Sequence, residues 1–157
     1  MSGDSEVSGA TGGSGATGGT GATGGSGATG SRRQIYSGGP WEARYGYSRA
    51  IVAGDTCHVS GTTDAGPDGR SLHQGDAAAQ ARVALGIIER ALVEAGFARG
   101  DVVRTRMYLT NRADAAAVGE VHGEWFREVR PAATLVVVAA LIDPTILVEI
   151  EVDARKL

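Results

Sequence analysis

Between residues 102 and 109 the chain reads Val-Val-Arg-Thr-Arg-Met-Tyr-Leu, and between 147 and 151 it reads Leu-Val-Glu-Ile-Glu. Both stretches alternate. Successive side chains on a strand point to opposite faces. Val102, Arg104, Arg106 and Tyr108 therefore fall on one face, and Val103, Thr105, Met107 and Leu109 on the other. By the same count Leu147, Glu149 and Glu151 lie opposite Val148, Ile150 and Val152. Guanidinium and carboxylate groups aimed into one partly dry space admit two readings. They satisfy one another as ion pairs, or a guanidinium such as Arg106 or Arg104 receives a small carboxylate ligand.

Other reactive residues offer less. Cys57 and His58 are adjacent on a strand, so they face opposite ways and form no nucleophile–base dyad within one chain. His58 shares a face with Ser60, whereas Cys57 reads as a small core residue. His73 sits in a polar loop and His122 on a helix, neither with a metal-ligating partner at i+2 or i+4. A single Cys excludes an intramolecular disulfide and a Cys-based zinc site. No metal site is expected from these residues.

These residues need a sheet to hold them. Gln34 to Tyr36 starts a short strand that Gly38-Gly39-Pro40 breaks. Residues 48–53 and 56–62 read as a hairpin closed by Gly54-Asp55. Asp76 to Ala95 reads as a helix, with Asp76 as its cap, Val83, Ile87, Ile88, Ala91 and Leu92 as its apolar stripe, and Gly96 ending it. Residues 102–110 form a strand, and Asp114 to Val129 a second helix with Val118, Val121, Trp125 and Val129 inward, stopped by Pro131. Residues 133–141 and 146–153 are strands joined through Asp143-Pro144. The order β-β-α-β-α-β-β predicts an α+β fold, a mixed sheet with two helices on one face.

The other face is then uncovered. Strand 133–139 is apolar on both sides, Thr134, Val136 and Val138 against Ala133, Leu135, Val137 and Ala139. Such a strand is buried on both faces, and no third helix is at hand. A second copy of the chain is the simplest cover, which predicts an oligomer with sheets meeting face to face.

Composition sets the remaining limits. Of 25 glycines, 12 fall in residues 1–31, where S/T-G-A-T-G-G recurs four times from Ser8, the last copy ending in Ser31 in place of glycine. This segment offers only Ala and Thr methyls for burial, too little to offset glycine's backbone entropy, and reads as a flexible tail. It lacks the Lys of a phosphate-binding loop, and the basic start and apolar run of an export signal, so the cytoplasm is expected. It carries Asp4 and Glu6 and no Lys or Arg, so the chain's net charge of −3 falls to −1 over residues 32–157. A domain so nearly neutral lacks the basic surplus that grips a phosphate backbone, and no nucleic-acid partner is expected. No apolar run approaches the ~20 residues needed to cross a bilayer, so no membrane partner is expected.

The chain resembles the Rid family (reactive intermediate deaminases, also called YjgF-like). The resemblance rests on Gly46-Tyr47, Ala53-Gly54-Asp55 through Val59-Ser60-Gly61-Thr62, Ala79-Gln80-Ala81-Arg82, Glu94-Ala95-Gly96, Gly100-Asp101-Val102-Val103-Arg104-Thr105, Arg130-Pro131-Ala132 and Leu147 to Glu151. It covers about residues 34–156. It implies a chorismate-mutase-like fold and a homotrimer with clefts between subunits. It also implies hydrolysis of an enamine or imine to a carbonyl compound and ammonia, without metal or organic cofactor.

In deaminating members an arginine just after the Pro-Ala step holds the substrate carboxylate. Here Pro131-Ala132 is followed by Ala133 and Thr134, which points to an arginine-lacking branch. By the same resemblance Tyr47 and Ser60 contact substrate, Glu149 positions the water, and Leu135 replaces a cysteine that often lines the cleft. The resemblance thus implies Glu149 as catalytic residue and Tyr47, Ser60, Ala133 and Thr134 as substrate-binding, with Arg106 the substitute cation by strand parity. The expected function is imine or enamine hydrolysis in an inter-subunit cleft. The alternative is a trimer that binds a small metabolite without turnover.

Overall fold

The computed structural model describes residues 32–157. The repeat read as a flexible tail, residues 1–31, lies outside them. Six strands form one sheet: β1 (Arg32–Ile35), β2 (Ala50–Ala53), β3 (Thr56–Thr62), β4 (Val102–Leu109), β5 (Ala132–Val137) and β6 (Val148–Arg155), in the order β1-β2-β3-β6-β4-β5. Every neighbouring pair is antiparallel except β4–β5. That parallel pair needs a crossover, supplied by helix α3 (Ala115–Trp125). The sheet is mixed and the fold α+β, as expected.

The last strand of the sequence lies near the middle of the sheet, between β3 and β4. Its period-two pattern sorts the two faces. Val148, Ile150 and Val152 are at most 1% exposed and join Cys57, Val59, Met107 and Leu109 under the helices. Helix α2 (Ala77–Glu94) packs on β6 and β3 through Ala81, Ala84, Leu85, Ile88 and Leu92, and α3 adds Val118 and Val121 beside it. Its ends are as the sequence predicts. Asp76 accepts from Ala79 N at 2.9 Å, and Gly96 sits at φ 79°, the left-handed geometry that a side chain disfavours. Burial pushes the Cys57 thiol up to about 11, in keeping with a core role.

Two local expectations are corrected, and one element is added. The alternation in β4 breaks at its start, where a register shift lies between Val102 and Arg104. Val102 is therefore buried and Val103 is 48% exposed, the reverse of the simple count. Helix α3 ends at Trp125, not Val129, because Val129 N and Arg130 N both turn back to Phe126 O, and Arg130 takes φ 52° ahead of Pro131. The strand does end before Gly38-Gly39, as expected, but a helix not anticipated from the sequence follows the break. Pro40 begins helix α1 (Pro40–Tyr45), which Gly46 closes at φ 70°.

Strand β5 runs along the edge of the sheet. Val136 and Val137 are 41% and 49% exposed in the single chain, so both of its faces are open there.

One buried side chain ties a helix, a loop and a strand together. Gln80, on α2 and fully buried, places Nε2 within 3.0 Å of Ser71 Oγ, His73 O and Thr145 O, while its Oε1 accepts from Leu147 N at 2.8 Å. Truncation strands several buried polar groups at once. Gln80→Ala is expected to cost about 3 kcal/mol or more in urea unfolding. A loss under about 1 kcal/mol would mean that these groups find other partners.

Candidate active site

A cavity of about 1150 Å³ opens beside the start of β2, between α1, the loop at 63–69, one end of α2 and the approach to β6. Tyr47, Arg49, Gly61, Thr62 and Glu149 line it, together with the aromatic residues Tyr36, Trp41 and Tyr45.

Glu149 comes from the helix-free face of β6, as its parity requires, and reaches the cavity across Gly61. A Cβ on Gly61 would collide with Glu149 Oε1 and lie 2.9 Å from Cδ. Gly61 sits where the β3–β6 register shifts, between Val59 and Thr62. The irregularity and the missing side chain together make room for the carboxyl. Burial holds Glu149 above the usual carboxylate range, Glu151 adds to the rise, and Arg49 opposes it.

Arg49 stands at the mouth of β2 with its side chain 12% exposed. Nη1 donates to Ser60 O, Gly61 O and Thr62 Oγ1 at 3.3, 3.0 and 2.6 Å. The guanidinium is thereby bolted to the irregular stretch that admits Glu149. On its other side Nε lies 4.0 Å from Glu42 Oε1 of α1. Glu42 is 4% exposed, and its carboxylate is occupied by Ser37 N and Ser37 Oγ. Tyr47 follows α1 directly, with its N–H donated to Glu42 O at 3.1 Å. Trp41 and Tyr45 stack one turn apart on α1, with ring centroids at 5.8 Å, and the Arg44 guanidinium lies over both rings.

Arg106, Tyr108, Glu151, Asp153 and His58 of the open face pair among themselves, whereas Arg104 is exposed and makes no side-chain hydrogen bond or ion pair among the described residues. Arg106 Nη1 donates to Glu151 Oε1 at 2.8 Å and lies 3.3 Å from Asp153 Oδ2. His58 Nδ1 lies 2.7 Å from Asp153 Oδ1, and Tyr108 OH donates to Glu151 at 3.4 Å. Burial and the Glu151 charge raise the Tyr108 phenol.

The six residues singled out from sequence thus separate within one chain. Tyr47 and Glu149 share the cavity. Ser60 does not line the cavity; its Oγ donates to Ser48 O at 2.8 Å and its carbonyl accepts from Arg49. Arg106 is engaged by two carboxylates. Thr134 pairs with Arg106 across β4–β5, whereas Ala133 pairs with Thr105, which is buried against the helices, so Ala133 and Arg106 face opposite ways. Neither Ala133 nor Thr134 lines the cavity. Arg49 was missed. The parity that sends Ala50 and Val52 inward puts Arg49 on the outer face with Ile51, and that signal was available.

A single sheet with helices on one side and a carboxyl-bearing cavity at the end of its hairpin defines the class. Residues 40–156 match the family described as Endoribonuclease L-PSP. A solved structure from Mycobacterium tuberculosis, described as a member of the highly conserved YjgF/YER057c/UK114 family, is 46% identical with a TM-score of 0.73, and the match covers 80% of this chain and 100% of that one. An uncharacterized protein of Streptomyces coelicolor is 43% identical over 124 residues, 79% of this chain and 92% of that protein. The 3-aminoacrylate deaminase RutC of Acinetobacter baylyi is 38% identical over 104 residues, 66% of this chain and 82% of the enzyme. The chain belongs to this family, the YjgF or Rid proteins.

The contact between Gly61 and Glu149 can be tested without any substrate. The clash in Gly61→Ala falls on the far end of a flexible side chain, so the fold is expected to survive with a stability change within about 1 kcal/mol. The carboxyl turns out toward water, and its pKa, followed by carbon NMR, falls toward the ordinary glutamate value. An unchanged titration would show that the glycine does not set the position of Glu149.

Proposed function

We propose that this protein hydrolyses an enamine or imine to a carbonyl compound and ammonia, in a cleft completed by a second copy of the chain. The observation that supports this most is the state of Glu149. Its carboxyl is half-buried, held above its usual range, and set in a cavity beside Tyr47 and Arg49. A carboxyl tuned upward exchanges protons closer to neutrality than an exposed one. Protonation of an enamine carbon gives an iminium, the protonated form of the imine. Glu149 orients water toward the C=N carbon, and the water adds and gives up a proton to form the carbinolamine. That proton is returned to the nitrogen, and the C–N bond breaks as ammonia leaves and the hydroxyl proton is released with formation of the C=O bond. Each step moves protons and electron pairs only, so no redox partner is needed. The activity for which the Acinetobacter baylyi relative is named, 3-aminoacrylate deamination, is of this chemical type.

The assembly belongs to the same proposal. The open edge of β5 and the exposed Val136 and Val137 suit burial against a neighbouring copy, and a homotrimer would bring Ala133 and Thr134 of one copy toward the cavity of the next. Tyr47 then contacts substrate, and Ser60 holds the β2–β3 backbone in place.

Two measurements test this reading. Imines generated in place by an amino-acid oxidase should release ammonia faster with the protein than in buffer, and Glu149→Gln should lower the rate about 100-fold or more while sparing the oligomer. Water orientation needs the carboxylate. Activity is therefore lost as pH falls through the raised pKa, and kcat/KM should show an acid limb above the ordinary glutamate value that Glu149→Gln removes. No rate above buffer, with ligand retained, would make the protein a binding module. Light scattering should report a trimer, and a monomer at micromolar concentration would remove the shared cleft.

A further inference from the structure

Which substrates the cavity accepts depends on what holds their charge and what receives their side chain. The cation expected at Arg106 faces Glu151 and Asp153, and Ala133 offers only a methyl. Arg90 also lines the cavity, but it is exposed on α2. Arg49 is different. Its hydrogen bonds among the described residues all leave from Nη1, so its position is fixed before any ligand arrives. Nε is buried and without a hydrogen-bond partner. Nη2 makes no bond among the described residues and is not sealed from solvent as Nε is. A fork held by one prong with another prong open is a ready receptor for a carboxylate oxygen. It lies beside Glu149, whose charge it already influences.

The rest of the lining has another character. Tyr36, Trp41 and Tyr45 make an aromatic wall, 52%, 39% and 64% exposed, and Ile87, Ala91 and Ile142 add apolar surface to the cavity. Rigid aromatic faces offer apolar contact at little entropic cost. A three-carbon imino acid carries no side chain large enough to cover those faces.

We propose that Arg49 receives the carboxylate of the ligand and that the aromatic wall receives a large apolar or aromatic side chain, so that the imines and enamines taken by this site derive from amino acids with bulky apolar side chains. The proposal rests on the Glu149 cavity being the reacting site. It moves the anion anchor from β5 to β2 and sets a size preference.

The probes are phenylpyruvate, pyruvate and the neutral ketone phenylacetone, titrated by calorimetry into the full-length protein. Phenylpyruvate should bind more tightly than either of the others. Arg49→Gln should weaken phenylpyruvate about 10- to 100-fold and leave phenylacetone unchanged. Trp41→Ala, at an exposed position that leaves the fold intact, should weaken phenylpyruvate and phenylacetone but not pyruvate. It also reports on the wall should Arg49→Gln fail to fold. Equal binding of phenylpyruvate to wild type and Arg49→Gln, pyruvate binding as tight as phenylpyruvate, or no detectable phenylpyruvate binding would each overturn the proposal. The two readings fail separately. If the phenylalanine-derived imine is bound in this pattern but not hydrolysed, hydrolysis is lost and the anchor stands. If imines are hydrolysed with KM unchanged in Arg49→Gln, the anchor is lost and hydrolysis stands.

Discussion

Strand β6 cannot slip. A shift of one residue would carry Glu149, Glu151 and Asp153 beneath α2 and lift Val148, Ile150 and Val152 to the open face. Burying three carboxylates without partners is far costlier than any gain in pairing. Because β6 lies between β3 and β4, its register dictates theirs, and the open face inherits a fixed order of charges. His58 meets Asp153, Arg106 meets Glu151, and Tyr108 stands across from Glu149. The only carboxyl of the three not drawn into this ladder is Glu149, which the β3 irregularity turns toward the cavity.

This constraint is also why so much was legible in the sequence. Strict alternation on a central strand and an apolar stripe on α2 are strong signals, since each is tied to burial of many side chains at once. The α+β class, the helix caps at Asp76 and Gly96, the hairpin turn at Gly54, and the faces of β6 all follow from them. The helix-side placement of Thr105, Met107 and Leu109 follows too. Alternation fails only where the backbone gains an extra residue, as at Val102–Val103, and nothing in the side chains there announces it.

The site was harder to see than the fold. Tyr47 and Glu149 were found by resemblance, and parity alone could not say that Arg106 already has partners, because pairing depends on register between strands far apart in sequence. Helix α1 was overlooked because two glycines and a proline look like a break. Proline at a first helical turn and glycine in left-handed geometry just past the end are equally the marks of a short helix. Arg49 was passed over in favour of the more conspicuous Arg104 and Arg106. Yet α1, Arg49 and the irregular end of β3 act as one assembly, with Glu42 and Ser37 on one side of the guanidinium and the carbonyls of Ser60 and Gly61 on the other.

The near-contact of Gly61 with the Glu149 carboxyl links two widely separated positions into one unit of inheritance. A lineage that keeps the acid in this pose has no freedom at the glycine, since even a methyl displaces it. One that abandons the acid loses the reason to keep the glycine. Descendants should therefore change both letters or neither, and that joint pattern would sort members of the family by whether the acid still occupies this pose, even where no assay has been run.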